Sequence, residues 1–560
     1  LTATKNLSIL ILIGIPLINT NKLFNCAAVL NKGKILGIIP KTYIPGYKEF
    51  YEPRWFASSF EPHSESINLL GQDVKFSTNL LFIDKNNKNL VVGAEICEDL
   101  WMAIPPSSKQ ALGGATLLCN LSASNVLVAK NEYGRELIKN QSARCIAGYI
   151  YVSSGMGEST TDVVFDSDGI ICENGQILTE SKRFFRENQI IYTEIDVEKL
   201  ISERIKINTF VNSNEIFQYI EFEGNTNNII ISRSISAHPF IPDDKKNIDT
   251  RCEEIFNIQS SGLAKRLESL PNTKAVIGVS GGLDSTLVLL VTVNTFRILN
   301  RNVKEIIAVT MPGFGTTNQT YNNAINLCKN LGIDIIEINI KDISNLMFDK
   351  VGVEKEKYDV TYENIQARAR TYILMSVANK HNGIVIGTGD LSEIALGWST
   401  YNGDHISMYN VNSSIPKTLV KFLIEWVKDT QFDDTTKIIL KEIIEQPISP
   451  ELLPTDGKDF TQKTEDKIGP YELHDFFLYY FLRYGFKFKK ILFLSKIAFK
   501  SKYDDITIEK WLNVFFKRFF TNQWKRDCVP AGVKVGTIDL SPRGSWRMPA
   551  DCDFSDFLRS

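Results

Sequence analysis

Two short strings place reactive residue types at strand ends. The apolar run Lys274–Val279 leads into Ser280-Gly281-Gly282-Leu283-Asp284-Ser285-Thr286, and the apolar stretch TLVLLVTV (286–293) follows at once. Two glycines let backbone N–H groups approach oxygens closely, and a helix N-terminus adds its positive dipole end, so the turn suits a phosphate chain. It is not the Walker pattern, whose lysine is missing, and Gly387-Thr388-Gly389 lacks the third glycine of a dinucleotide fingerprint. An ordinary capped strand-to-helix turn would need only the Ser or Asp, not the full seven-residue string. In the other half of the chain, the apolar run LVVGAEI (90–96) ends in Cys97-Glu98-Asp99, which sets a thiol at a strand end among polar groups. The other cysteines read as small buried hydrophobes.

The loop at 280–286 resembles that of the N-type ATP pyrophosphatases, which split ATP between the α- and β-phosphates to adenylate an oxygen. The resemblance implies ATP contacts from Gly278, Val279, Ser280, Gly281, Gly282, Leu283, Asp284 and Ser285. Several synthetases share that loop, so it does not choose a substrate. The strings YDVTYENIQARART (358–371), GTGDLSEIALGWSTYNGD (387–404), NVNSSIPKTL (410–419) and PELLPTDGKDFTQKTEDKIGPYELHD (450–475) resemble the glutamine-dependent NAD synthetase family. That family implies Thr388 and Lys417 on ATP, and Asn364, Arg368, Glu393, Trp398, Ser399, Thr400, Tyr401 and Lys525 on nicotinic acid adenine dinucleotide (deamido-NAD). Arg370 enters beside Arg368. Thr388 and Glu393 sit at or just past the end of an expected strand, and a carboxylate there suits Mg2+ bridging phosphate oxygens, so Glu393 is the expected metal ligand.

Lys41 follows the strand-like ILGIIP and opens KTYIPGYKEFYE, which resembles the lysine loop of nitrilases, as GAEICEDLW resembles their nucleophile strand. The resemblance implies a Glu-Lys-Cys amidohydrolase: a carboxylate base, oxyanion stabilisation by Lys41, and a thioester on Cys97. Tyr47, Glu98 and Ser124 match glutamine-recognising positions, and Lys130 stands where the family has an arginine. A lysine keeps the charge but loses bidentate geometry. No glutamate precedes Lys41, although the family's base does; Glu49 and Glu52 follow it and match the auxiliary glutamate. Because Leu1 is not methionine and a buried-strand pattern starts almost at once, the first domain is expected to be incomplete at its start.

The elements that must carry these residues form an α/β chain of two domains. Residues 1–207, dense in β-rich runs, are expected to form a nitrilase-like αββα sandwich truncated at its start. Residues 208–249 read as a connector. Residues 250–560, where strands alternate with helices, are expected to form a Rossmann-like parallel-sheet ATP pyrophosphatase domain.

With 560 residues, 43% hydrophobic, the chain has material for several cores. A net charge of -2 offers no global attraction for nucleic acid or membrane. The basic run KFKKILFLSKIAFKSK reads as a solvated helix face. Nine cysteines without a Cys-x-x-Cys pair fit a reducing cytoplasm. The expectation is therefore a cytoplasmic enzyme using ATP, Mg2+, glutamine and deamido-NAD, assembled as a homo-oligomer by family resemblance. Its rivals are another amidotransferase with the same loop, or a nucleotide-binding protein with a decayed glutaminase.

Overall fold

The computed structural model describes residues 1–559 except 159–160, 212–213, 226–229, 243–246, 355–356, 448–451, 454–463 and 556. Most of the string read at 450–463 therefore lies outside the described residues. The chain forms two compact units, Leu1–Arg233 and Ser234–Ser560.

The first unit begins with the antiparallel strands β1 (Ile11–Asn19), β2 (Lys22–Asn31) and β3 (Lys34–Pro40), followed by a hairpin of β4 (Ser66–Leu69) and β5 (Gln72–Lys75). Then come β6 (Leu80–Asp84), β7 (Val91–Ile96), helix α1 (Pro106–Leu112), β8 (Leu117–Ser122), α2 (Lys130–Cys145), β9 (Gly148–Ser153), β10 (Gly169–Glu173), β11 (Gln176–Glu180), α3 (Val197–Lys206) and β12 (Gln218–Phe222). The larger sheet runs β11-β10-β9-β8-β7-β6-β12. Ala27, Val29 and Ile39 of the smaller sheet pack against Leu80, Phe82, Val92, Ala94 and Ile96 of the larger, so the two sheets form a sandwich. Ala111 of α1 and Ile138 of α2 share a core with Leu118 and Tyr149 on the opposite face. The other face of the small sheet packs on Val74 of β5 and on Phe76.

Strand β12 lies within the stretch read from sequence as a connector, yet pairs in parallel with β6. Arg233, near its end, bonds Glu173 at 3.0 Å, and Lys199 bonds the same buried carboxylate at 2.7 Å.

In the second unit, α4 (Ile248–Glu268) precedes β13 (Lys274–Gly278), α5 (Leu283–Ile298), β14 (Ile306–Thr310), α6 (Asn318–Asn330), β15 (Asp334–Glu337), α7 (Lys341–Val351), α8 (Val360–Lys380), β16 (Gly383–Gly387), α9 (Leu391–Leu396), β17 (Tyr409–Asn410) and α10 (Lys417–Gln431). The strands form one parallel sheet in the order β15-β14-β13-β16-β17. Helix α5 is apolar all round and is accordingly buried, with Leu287–Val291 sealed in the main core.

Helices α11 (Asp434–Glu445), α12 (Thr464–Ile468), α13 (Tyr471–Tyr484), α14 (Phe488–Ala498), α15 (Asp505–Thr521) and α16 (Gln523–Arg526) complete the unit. The basic run read as a solvated face is α14, which buries Phe488, Ile491 and Leu494 and exposes Lys487 and Lys489. Among the described residues, no helix is long and apolar enough to cross a membrane.

Candidate active sites

Parallel strands β13 and β16 deliver two loops to the same carboxyl edge of the sheet, where open α/β sheets bind ligands. The first is the glycine loop. Gly281 sits at φ +83°, and a Cβ there would lie 2.0 Å from the Thr320 carbonyl oxygen, so only glycine fits. The Ser285 hydroxyl accepts from the Ser280 N–H at 3.3 Å and donates to the Gly282 carbonyl at 3.2 Å, folding the loop over the start of α5. Gln446, which the sequence did not single out, donates to the Gly281 carbonyl at 2.7 Å.

The second loop, Thr388-Gly389-Asp390, opens α9 through a capping box. Asp390 accepts the Glu393 N–H at 2.8 Å and Glu393 accepts the Asp390 N–H at 3.3 Å. Asn412 donates to the carbonyls of Asp284 (3.2 Å) and Thr388 (3.5 Å), which ties the two loops together.

Between them stands Lys417, the first residue of α10 and only 3% exposed. Its ammonium lies 2.6 Å from Asp284, 2.5 Å from Asp390 and 3.2 Å from Glu393. A cation at a helix N-terminus opposes the dipole, so the carboxylates hold it there. Burial alone would depress its pKa, but Asp284, Asp390 and Glu393 together outweigh that and hold it well above the usual range. Burial pushes Glu393 up to about 7, with Asp284 and Asp404 adding to the rise and Lys417 opposing it.

The carboxylate oxygens of Asp284, Asp390 and Glu393 lie within 4.8 Å of one another. Asp284 Oδ1 is buried without a hydrogen-bond partner among the described residues. Three converging hard oxygen donors, one of them unsatisfied, suit a divalent cation such as Mg2+. The sequence reading had only Glu393 as a ligand; Asp390, the N-cap of α9, joins it because the fold brings Asp284 beside both.

These groups line a cavity of about 690 Å³. Every residue assigned from sequence to ATP or to the dinucleotide lines it except Gly281, which supports the loop from behind. Thr400 donates to Asn364 at 2.7 Å and, through its N–H, to Asp404 at 2.7 Å. Arg368 donates to the Tyr401 carbonyl at 3.2 Å, and Arg370 to that of Met311 at 3.3 Å. Lys525 is engaged with the carbonyls of Gly397 (2.8 Å) and Ser399 (2.7 Å), shaping the loop that carries Trp398. Asp404, Arg518 and Trp524 also line the wall. Arg518 lies over the Trp398 ring at 5.1 Å, and Trp524 packs on Tyr401 at 5.1 Å. Sequence reasoning singled out none of the three: Asp404 closes the string quoted at 387–404, whereas Arg518 and Trp524 reach the loop only through the fold, for which a motif search has no signal.

In the first unit, Cys97 directly follows β7 and takes φ +50°, a left-handed conformation that a non-glycine residue adopts at a cost of about 1–3 kcal/mol. Its N–H is held by Asn120 Oδ1 at 3.1 Å. Strained residues of this kind cluster at functional sites. Lys41, directly after β3 and 2% exposed, lies 2.5 Å from Glu52, whose other oxygen accepts from Asn25 at 2.8 Å. Asp99 ties the two segments, accepting N–H bonds from Thr42 (3.2 Å), Tyr43 (2.8 Å) and Ile96 (2.9 Å). Burial, then Glu95, pushes its carboxyl up to about 7.

Tyr47 donates to Glu98 at 2.8 Å. Burial, Glu98, Cys97 and Glu49 together push its hydroxyl up to about 12. Lys130 donates to Asn125 Oδ1 at 2.8 Å and to its carbonyl at 3.1 Å, between the rings of Phe50 (5.5 Å) and Trp101 (5.4 Å). Burial lowers its pKa against the pull of Cys97, Glu49 and Glu98. Asn125 in turn donates to Glu49 at 2.7 Å. Ser124 and Lys130 line a small cavity of about 40 Å³ that also reaches Asp168 and Arg183. Tyr47 is thus bonded to Glu98, the residue after Cys97, and Lys130 to Asn125, whereas Ser124 touches Ser153 through its N–H at 3.4 Å.

A thiol unit and a phosphate-loop unit in one chain define an ATP-dependent amidotransferase. Residues 255–509 match the NAD synthase family model. The chain is similar to the glutamine-dependent NAD(+) synthetase of Mycobacterium leprae, 41% identical over 98% of this chain and 85% of that one. It is also similar to the Thermotoga maritima enzyme of the same name, at 29% identity over 99% and 87%. A crystal structure of a glutamine-dependent NAD(+) synthetase from Cytophaga hutchinsonii matches with TM-score 0.46 and 17% identity over 98% of this chain and 86% of that one. The chain belongs to the glutamine-dependent NAD(+) synthetase family.

Proposed function

We propose that the loops after β13 and β16 carry the adenylation half of an ATP-dependent amidation of deamido-NAD to NAD, and that Cys97 supplies the ammonia from glutamine. The observation that carries this reading is Lys417 buried among Asp284, Asp390 and Glu393 at the end of the glycine loop.

The N–H groups at Gly282 and the first turn of α5 receive the β- and γ-phosphates of ATP. Thr388 and Lys417 meet the triphosphate from the opposite loop. Asn364, Thr400 and the faces of Trp398 and Tyr401 hold the nicotinate end of the dinucleotide, with Arg368 offering charge to its phosphates. One nicotinate carboxylate oxygen attacks the α-phosphorus; the bond to the β-phosphate oxygen breaks and pyrophosphate leaves. Ammonia then attacks the activated carbonyl carbon, AMP departs with the oxygen, and a proton is lost to give the amide. Mg2+, held by Glu393 with Asp284 and Asp390, would neutralise charge on the phosphate oxygens.

In the first unit the Cys97 thiolate attacks the glutamine amide carbon. Lys41, fixed by Glu52, stabilises the oxyanion; the amide nitrogen takes up the proton given up by the thiol, the C–N bond breaks and ammonia leaves, and water hydrolyses the thioester to glutamate and the free thiol. Tyr47, Glu98 and Lys130 hold the glutamine backbone groups. Residues 1–40 contain no glutamate, so the base of this half is not among them. The enzyme acts in the cytoplasm as a homo-oligomer, a reading that the cysteine usage and the family support. The unit Leu1–Arg233, which includes β12, is the glutaminase domain, and the unit Ser234–Ser560 is the synthetase domain.

The test is exchange of labelled pyrophosphate into ATP, which requires deamido-NAD but no nitrogen donor. Asp284→Ala and Glu393→Gln are each expected to slow it by about two to three powers of ten, while glutamine hydrolysis stays at the parental rate. Exchange at the parental rate in either folded variant contradicts the assignment.

A further inference from the structure

Outside the cavity, on α13, a buried acid reaches the back of both loops. Asp475 is 1% exposed. One of its carboxylate oxygens accepts a very short bond from the Ser392 hydroxyl in the first turn of α9. The other accepts from the Thr418 N–H at 3.0 Å and the Thr418 hydroxyl at 2.7 Å, in the first turn of α10. Ser392 Oγ also accepts the Lys417 N–H at 2.9 Å, so the two helix starts are joined to each other as well as to Asp475. Ser392 is flanked by Asp390 and Glu393, and Thr418 follows Lys417.

A buried carboxylate is costly unless its lone pairs are met by donors. Here every donor comes from one of the two helix ends that present the Lys417–Asp390–Glu393 group.

We infer that Asp475 is a positioning residue for adenylation: it clamps the N-termini of α9 and α10 so that Lys417 and Glu393 stay in register with Asp284. This rests on the assignment of those three residues to the adenylation step. An amide at 475 keeps the volume but turns one acceptor into an N–H donor. That donor faces either the Ser392 or the Thr418 side, and one helix start is released. A displacement of about 1 Å in a reacting constellation costs on the order of a hundredfold in rate.

The experiment compares Asp475→Asn, Thr418→Val, Thr418→Ser and Glu393→Gln in the full chain. It reads kcat and KM for deamido-NAD with ammonium as nitrogen source, pyrophosphate exchange, and thermal unfolding. Asp475→Asn is expected to lower kcat and exchange by about tenfold to a hundredfold with KM within about threefold. Thr418→Val should reproduce part of that loss, and Thr418→Ser, which keeps the hydroxyl, should restore it. Should Asp475→Asn keep parental kcat and exchange, or should Thr418→Ser be no better than Thr418→Val, the positioning role is overturned. Glu393→Gln separates the two readings: if it retains exchange, the site assignment itself falls, whereas its loss beside an active Asp475→Asn refutes the clamp alone.

Discussion

At the scale of single residues, the second unit buries titratable groups whose protonation differs between the folded and unfolded chain. His474 on α13 donates through Nε2–H to the Ile468 carbonyl at 2.6 Å and is fully enclosed. Burial, then Arg518, pushes its pKa down to about 4. The unfolded chain, with an ordinary histidine pKa near 6.5, therefore binds a proton between about pH 6.5 and 4 that the folded chain refuses. Stability falls as pH drops through that window, by up to about 3 kcal/mol for this group.

Glu393 and Asp99, raised to about 7, work in the opposite sense over the same range. The histidine share is therefore read as a difference. His474→Gln is expected to be less stable than the parent at pH 7 but to lose less between pH 6.5 and 4 in denaturant titrations. Parallel pH curves for the two proteins would remove the assignment.

The residue types of the sites were readable in the chain because each has a local signature: glycines in a strand-to-helix turn, a thiol after an apolar strand, a carboxylate just past the end of an expected strand. What was not readable depends on distance along the chain. Arg518 and Trp524 reach the cavity from more than a hundred residues beyond Trp398. Lys525, expected on the dinucleotide, lines the cavity, and its bonds to the Gly397 and Ser399 carbonyls were not readable from the sequence. Asp475 closes the string quoted at 450–475, but nothing in its sequence neighbourhood marks it out from Glu472 or His474.

At the scale of elements, the sites depend on how strands hand over to helices. The glycine loop shows the constraint most sharply. Gly281→Ala adds a Cβ 2.0 Å from a backbone oxygen at φ +83°, so the loop must move; a loss of about 1–3 kcal/mol and of most pyrophosphate exchange is expected. Gly282→Ala is a fair control for folding, since its nearest neighbour would be Ser280 Oγ at 3.4 Å. Equal thermal midpoints for Gly281→Ala and Gly282→Ala would contradict this account of the loop.

The alternation of strand and helix after residue 250 announced the parallel sheet, since fully buried parallel strands read as continuous apolar runs. Strand β12 escaped because QYIEF is short and its partner, β6, lies more than a hundred residues earlier. Helix α9 is only six residues long, below what periodicity can reveal. Its C-terminal carbonyls are met by donors from α15 and α16: Arg526 bonds Ala395 at 2.9 Å, and Arg518 bonds Leu396 at 3.1 Å. The loop bearing Trp398 is thereby fixed from the far end of the chain.

At the scale of the whole molecule, the two chemistries reside in different units, each with its own core. Cys97 and Lys41 belong to the unit ending at Arg233; the glycine loop, Glu393 and Lys417 belong to the unit that begins at Ser234. The domain pattern was legible as a change of rhythm from strand-dense to strand-helix alternation. The most direct measurement is NAD formation by Cys97→Ala with glutamine and with ammonium salt as alternative nitrogen sources, contaminating ammonia excluded. The parent value for each source is the reference. Removal of the nucleophile leaves Lys41 with no oxyanion to stabilise, so any glutamine-supported synthesis should fall by about three or more powers of ten, while ammonium-supported synthesis stays within about twofold of the parent. Robust glutamine-driven synthesis by Cys97→Ala, or an equal loss with both sources in a folded protein, would contradict the division of labour.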